Sequence, residues 1–165
     1  MNVKFKGQNA TLKGSPLKIG DNTPEVKLVG KDLSEVTIGG AQGKTQIINI
    51  VPSLDTGVCA TQARTFNQKA AGLKDCIVYV VSMDLPFAMG RFCSTEGIEN
   101  LVVASDFVNK ALGEKYGVLL VDSPLKGLLS RAVLVINPQG KLIYQEICEE
   151  ITNEPDYEAA IKAIQ

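Results

Sequence analysis

The residues best placed to do chemistry in this chain are its thiols, and one of them stands at a distinctive spot. Pro52-Ser-Leu-Asp-Thr-Gly-Val-Cys59 follows the apolar run Ile47-Ile-Asn-Ile-Val51 and precedes a stretch with helical spacing at Ala63, Phe66, Ala70 and Leu73. The first flank reads as a buried strand and the second as a helix over residues 60–71, closed by Gly72. Cys59 therefore falls where a strand hands over to a helix. Unpaired backbone N–H groups give the first helical turn a positive field, which favours thiolate over thiol. The hydroxyl of Thr56, three residues earlier, has the reach to donate to the sulfur. Pro52 lacks an N–H and fixes its φ, which stiffens the loop as it leaves the strand. Gly57 lets the backbone approach a small ligand or take a φ other residues avoid. These features describe an activated, partly shielded nucleophile of the kind that reacts with oxidants. Free cysteine is also among the most buried residue types, so position alone leaves a packing role equally open.

Composition narrows the alternatives. Histidine and tryptophan are both absent from the 165 residues. Without histidine there is no Ser-His-Asp triad, no Cys-His pair and no imidazole metal ligand. The four cysteines, Cys59, Cys76, Cys93 and Cys148, contain no CxxC pair. That spacing excludes a zinc ribbon and a thioredoxin-type dithiol motif. A four-cysteine metal site assembled from distant elements stays open but disfavoured, and no metal or prosthetic group is expected. The formal net charge of −1 and a pI near 5.5 offer no basic surface for nucleic acid. The apolar runs are too short to span a bilayer. Met1–Gly14 lacks an apolar segment of signal-peptide length, so a cytoplasmic location with reduced thiols is expected.

The elements that must position Cys59 follow from the rest of the pattern. At 45% hydrophobic residues the chain can bury a core without disulfides. Val3-Lys-Phe-Lys and the region around Thr11 alternate apolar and polar residues across Gly7-Gln-Asn, predicting an N-terminal β-hairpin. Short strands are expected at 26–29 and 36–38, and buried ones at 46–51, 76–81 and 102–104. Helices are expected over 87–93, about 106–116 and 155–164. Ala132–Ile136 and Leu142–Ile147 flank Asn137-Pro-Gln-Gly140 as a second hairpin. Strands alternating with helices, then a late hairpin, predict one α/β domain over 1–165 with a mixed central sheet flanked by helices.

Four blocks in order complete the pattern: NIVPSLDTGVCATQARTFNQ, SMDLPFAMGRFCSTEGIENL, DSPLKGLLSRAVLVINPQGK and EITNEPDYEAA. The first contains Pro-x-x-x-Thr-x-x-Cys. Together with the N-terminal VKFKGQN they resemble the thiol peroxidase subfamily of the peroxiredoxins, the bacterial atypical two-cysteine type, over essentially the whole chain. The resemblance implies a thioredoxin-like fold with an N-terminal hairpin. It implies that Cys59 attacks the peroxide, that Thr56 hydrogen-bonds thiolate and peroxide, and that Pro52 shields the pocket. It further implies that Arg131 sets its guanidinium beside Cys59 and that Cys93 resolves the sulfenic acid within the same chain. Thioredoxin is the implied reductant, peroxides the substrates, and a homodimer the implied assembly.

Cys76 and Cys148 lie in apolar strands and read as packing residues, with an alternative resolving role open to either. Phe87, Met89 and Phe92 read either as helix-face core or as an apolar rim suited to organic hydroperoxides. Asp84 and Arg91 are candidates to orient that segment. Besides a peroxidase, three readings stay open at this level: a redox sensor or relay, a general thiol–disulfide oxidoreductase (disfavoured by the missing CxxC), and a binding module with inert thiols.

Overall fold

The computed structural model describes all 165 residues. The chain opens with a two-stranded hairpin, β1 (Asn2–Phe5) and β2 (Gln8–Thr11), paired antiparallel with Phe5 opposite Gln8. The turn is Lys6-Gly7, one step earlier than the sequence implied. Both residues take positive φ, +50° and +78°. A two-residue turn of this kind matches the right-handed twist of its strands, and Gly7 accepts it without strain.

A seven-stranded sheet follows in the order β4-β3-β7-β6-β5-β8-β9. Its members are β3 (Val26–Gly30), β4 (Glu35–Ile38), β5 (Thr45–Ile50), β6 (Cys76–Ser82), β7 (Val102–Ser105), β8 (Ala132–Ile136) and β9 (Leu142–Ile147). Strands β5, β6 and β7 run parallel, while β3, β4, β8 and β9 add antiparallel flanks. The sheet is mixed, as expected.

Both faces are covered. Helix α1 (Gly57–Ala70), α2 (Pro86–Glu96) and α4 (Tyr157–Lys162) carry Cys59, Ala63, Phe66, Met89, Cys93 and Ala160 into one apolar layer against Ile47, Val78, Val80, Val133 and Val135. On the other face, Ile48, Ile50, Tyr79 and Leu134 pack against Leu112 and Tyr116 around α3 (Ala111–Lys115). Alternate strand residues point to opposite faces. Asn49 therefore shares the α1 face with Ile47, and Arg131, just before β8, shares it with Val133 and Val135.

All four helices differ in extent from the sequence reading, α4 by spanning only Tyr157–Lys162. Helix α1 begins at Gly57, so Cys59 lies inside its first turn. Helix α2 extends to Glu96 and ends at Gly97 with φ +65°, which places Cys93 within the helix. The expected helix over 106–116 shrinks to Ala111–Lys115. Asp106 is the reason: its buried carboxylate accepts the N–H groups of Leu112 (3.2 Å) and Gly113 (2.8 Å), so it caps the helix from outside. No helix is long and apolar enough to cross a membrane.

Candidate active site

The loop from β5 into α1 carries Pro52, Thr56 and Cys59. The sheet ladder ends where Val51 N–H donates to the Val81 carbonyl at 3.0 Å. Pro52 is buried immediately after it. Asp84 then pins the loop: its carboxylate accepts from Ser53 Oγ at 2.7 Å and Leu54 N–H at 2.7 Å. The same carboxylate accepts from Ser82 Oγ at 2.6 Å. Asp84 lies just ahead of Leu85 and Pro86, so one carboxylate fixes the loop before α1 to the start of α2. The sequence marked Asp84 as a candidate to orient this region, and the geometry gives it a definite partner set.

Cys59 is fully buried. Arg131 Nη2 donates to its sulfur at 3.1 Å across 72 positions of sequence. Arg131 is only 3% exposed. Its Nη1 donates to Gln62 Oε1 at 2.9 Å and its Nε to the Ile151 carbonyl at 2.6 Å. No carboxylate pairs with it. Gln62 Nε2 in turn donates to Asn49 Oδ1 at 3.0 Å. A buried cation without an acidic partner is costly unless an anion meets it. The Cys59 sulfur is the one contact of this guanidinium that can carry a negative charge.

Thr56 is placed differently from the expectation that its hydroxyl donates to the sulfur. It is the exposed N-cap of α1, and its Oγ1 donates to the Ser53 carbonyl at 3.2 Å. Its single proton is committed there, and the sulfur's donor is Arg131 instead. Gln62 and Asn49 were not singled out from the sequence. The signal was present: Gln62 follows Cys59 by three residues, on the α1 face that also carries Ala63 and Phe66. A fully buried amide on an apolar face must find a polar partner.

All four cysteines are free thiols. Cys93 is 4% exposed and packs in the same apolar layer as Cys59, and burial holds its thiol above the ordinary range. Burial raises Cys76 and Cys148 to about 11. No group of three or more Cys, Asp or Glu side chains converges as a metal site.

A cleft of about 380 Å³ opens between the Cys59 loop and the outer side of α2, lined in part by Leu54, Asp55, Asp84, Arg91, Phe92 and Glu96. Of the three residues read as an apolar rim, only Phe92 lines it. Met89 is wholly buried core and Phe87 stands 70% exposed. Helix α1 also holds the end of α2: Arg64 pairs with Glu96 at 3.0 Å, and Asn67 Oδ1 accepts from Glu99 and Asn100 N–H groups at 3.1 and 2.8 Å.

Comparison with known proteins identifies the family. A family model described as Redoxin matches residues 18–161. The chain is 62% identical to a thiol peroxidase of Campylobacter jejuni over 154 residues, 93% of this chain and 87% of that one. It is 48% identical to a thiol peroxidase of Corynebacterium glutamicum over 160 residues, 97% of this chain and 96% of the relative. The crystal structure of a peroxiredoxin-like protein from Aquifex aeolicus superposes with a TM-score of 0.95 at 49% identity, covering 99% of this chain and 95% of that one. The thioredoxin-like fold with its separate N-terminal hairpin is thus the fold of this group. The chain belongs to the Redoxin family and, within it, to the thiol peroxidases of the peroxiredoxin group.

Proposed function

We propose that this thiol peroxidase reduces hydrogen peroxide and organic hydroperoxides through Cys59, with Cys93 as the resolving thiol and thioredoxin as the reductant. The observation that carries the reading is the buried Arg131 guanidinium donating to the Cys59 sulfur at 3.1 Å with no acidic partner of its own. In the first step the thiolate lone pair attacks one peroxide oxygen and the O–O bond breaks. Cys59 becomes a sulfenic acid, and the departing oxygen takes a proton to leave as water or an alcohol. Arg131 stabilises the thiolate and the charge developing on the departing oxygen. Thr56 Oγ1, its proton held by Ser53, offers lone pairs to a peroxide O–H. Pro52 walls the site without presenting an N–H.

In the second step the Cys93 sulfur attacks the sulfenic sulfur. A disulfide forms and water leaves. Such a bond needs the two Cα atoms within roughly 7 Å and a specific dihedral. Cys93 sits inside a helix whose end is tied to α1, so the second half of α2 unwinds for this step. An external dithiol then reduces the disulfide through a mixed disulfide, with thioredoxin the partner the family likeness favours. The working unit is read as one domain over 1–165 that forms homodimers in the cytoplasm, with no cofactor.

The test is peroxide treatment of the reduced protein, then peptide mapping without reductant, on wild type, Cys59→Ser and Cys93→Ser. A Cys59–Cys93 link in wild type, and a trapped sulfenic acid on Cys59 in Cys93→Ser, are expected. A link from Cys59 to Cys76 or Cys148 moves the resolving role. An unmodified Cys59 after excess peroxide removes the peroxidase mechanism, and oxidation without recycling by thioredoxin points to a sensor.

A further inference from the structure

The N-terminal hairpin takes no part in the chemistry above, yet it grips the backbone that carries one of the three acceptors of Arg131. That acceptor, the Ile151 carbonyl, receives Nε–H at 2.6 Å. Ile151 is fixed by the hairpin in two ways. Its N–H donates to the Lys4 carbonyl at 2.9 Å, and Lys4 N–H donates to the Glu149 carbonyl at 2.6 Å, a short parallel ladder. Its side chain, 2% exposed, packs with Val3, Ala10 and Leu12 of the hairpin strands and the residue beyond them.

Between these two attachments lies Glu150. Its carboxylate accepts the Lys6 N–H at 3.1 Å through one oxygen and the Gly7 N–H at 3.0 Å through the other. The positive φ values at Lys6 and Gly7 turn these consecutive N–H groups into a small anion-binding concavity. Thr152 closes the other side, its N–H and Oγ1 donating to Glu150 at 3.2 and 2.9 Å. The carboxylate is held down to about 2 by these donors, Gly7 foremost, so it is an anion throughout the working range. Its neighbours Lys4 and Glu149 pair with each other at 3.1 Å.

We infer that Glu150 is a positioning residue for the thiol chemistry. By clasping the hairpin turn it holds the Ile151 carbonyl in place, and through it the Arg131 guanidinium against the Cys59 sulfur. The inference rests on the reading of Arg131 given above. A guanidinium held at three corners has one orientation; with the Nε corner loosened it can swing about the remaining two. The contact to sulfur is then no longer preorganised.

The experiment compares Glu150→Ala, Glu150→Gln, Asp122→Ala and Arg131→Lys in the full chain. Asp122 is the control because its carboxylate accepts the Thr11 N–H at 2.7 Å, anchoring the second hairpin strand at a residue with no hydrogen bond to Ile151. Two quantities are read: the rate of the first turnover with hydrogen peroxide, and the pH profile of Cys59 alkylation followed on its own peptide. Glu150→Ala is expected to slow the peroxide reaction about tenfold and to move the alkylation profile to higher pH. Glu150→Gln keeps an acceptor oxygen and recovers part of both losses. Asp122→Ala costs comparable thermal stability and moves neither readout. The clasp is overturned if Glu150→Ala stays within about twofold of wild type with an unmoved profile, or if Asp122→Ala shifts both as far. If Arg131→Lys also changes nothing, the role given to Arg131 has failed, and the clasp falls with it.

Discussion

Gln62 offers the most direct test of how the guanidinium is held. Its side chain is wholly buried, accepts from Arg131 Nη1 at 2.9 Å and donates to Asn49 Oδ1 at 3.0 Å. Gln62→Met keeps the length and nearly the volume while deleting both hydrogen bonds, which separates polar loss from cavity formation. A bond to a charged donor is worth about 1.5–3 kcal/mol and a neutral one about 1. The Asn49 side chain would lose its only partner, since its Nδ2 already has none. The sum predicts a loss of about 2.5–4 kcal/mol, or roughly 10 °C in Tm for a chain of this size. Urea and thermal unfolding of the reduced protein measure the first quantity. Rapid mixing with hydrogen peroxide measures the second consequence, a slower first turnover, because the freed guanidinium spends less time on the sulfur. A Gln62→Met protein within about 0.5 kcal/mol of wild type, with an unchanged peroxide rate, refutes the network as the support of Arg131.

Three further outcomes are expected. Asp84→Ala strands Ser53 Oγ, the Leu54 N–H and Ser82 Oγ; it should cost about 2–4 kcal/mol and slow sulfenic acid formation, and an unaffected peroxide rate would detach that anchor from the chemistry. In the folded protein at pH 8, iodoacetamide should label Cys76 and Cys148, whose thiols burial raises to about 11, far more slowly than in urea, where that burial is lost; equal rates in the two conditions would contradict the reading. The Glu150 carboxylate, lowered from 4.5 to about 2, contributes stability that is present above about pH 4.5 and lost as pH falls toward 2. The amide resonances of Lys6 and Gly7 should titrate near the lower value, and a midpoint at 4.5 would show that the clasp does not form in solution.

Much of the molecule was legible because local pattern and global fold agree. The β-branched runs at β5 and β6 are buried on both faces, and each reads as a buried strand from composition alone. The β8–β9 hairpin and the placement of Cys59 at a strand-to-helix handover needed only turn chemistry and periodicity. Where the reading slipped, a long-range contact had overridden local preference. Asp106 caps α3 from outside and shortens a segment whose residues read as helix. Thr56 sits at the expected position, yet its proton goes to the Ser53 carbonyl because the loop folds back on itself. Met89 and Phe87 lie close in sequence but face core and solvent, a matter of helix phase that their types do not encode.

The sequence by itself determined the candidate thiol, its place at a strand-to-helix handover, the absence of any histidine chemistry and the strand framework beneath it. These follow from residue types and spacings a few positions apart. Tertiary structure decided what surrounds the sulfur. Arg131 reaches Cys59 because β8 pairs with β5 in a register that turns it to the α1 face, and Gln62, Asn49 and Ile151 hold it there. A hydrogen bond across 72 residues depends on strand register and facing, and those are set by burial of the whole sheet rather than by any local stretch of chain.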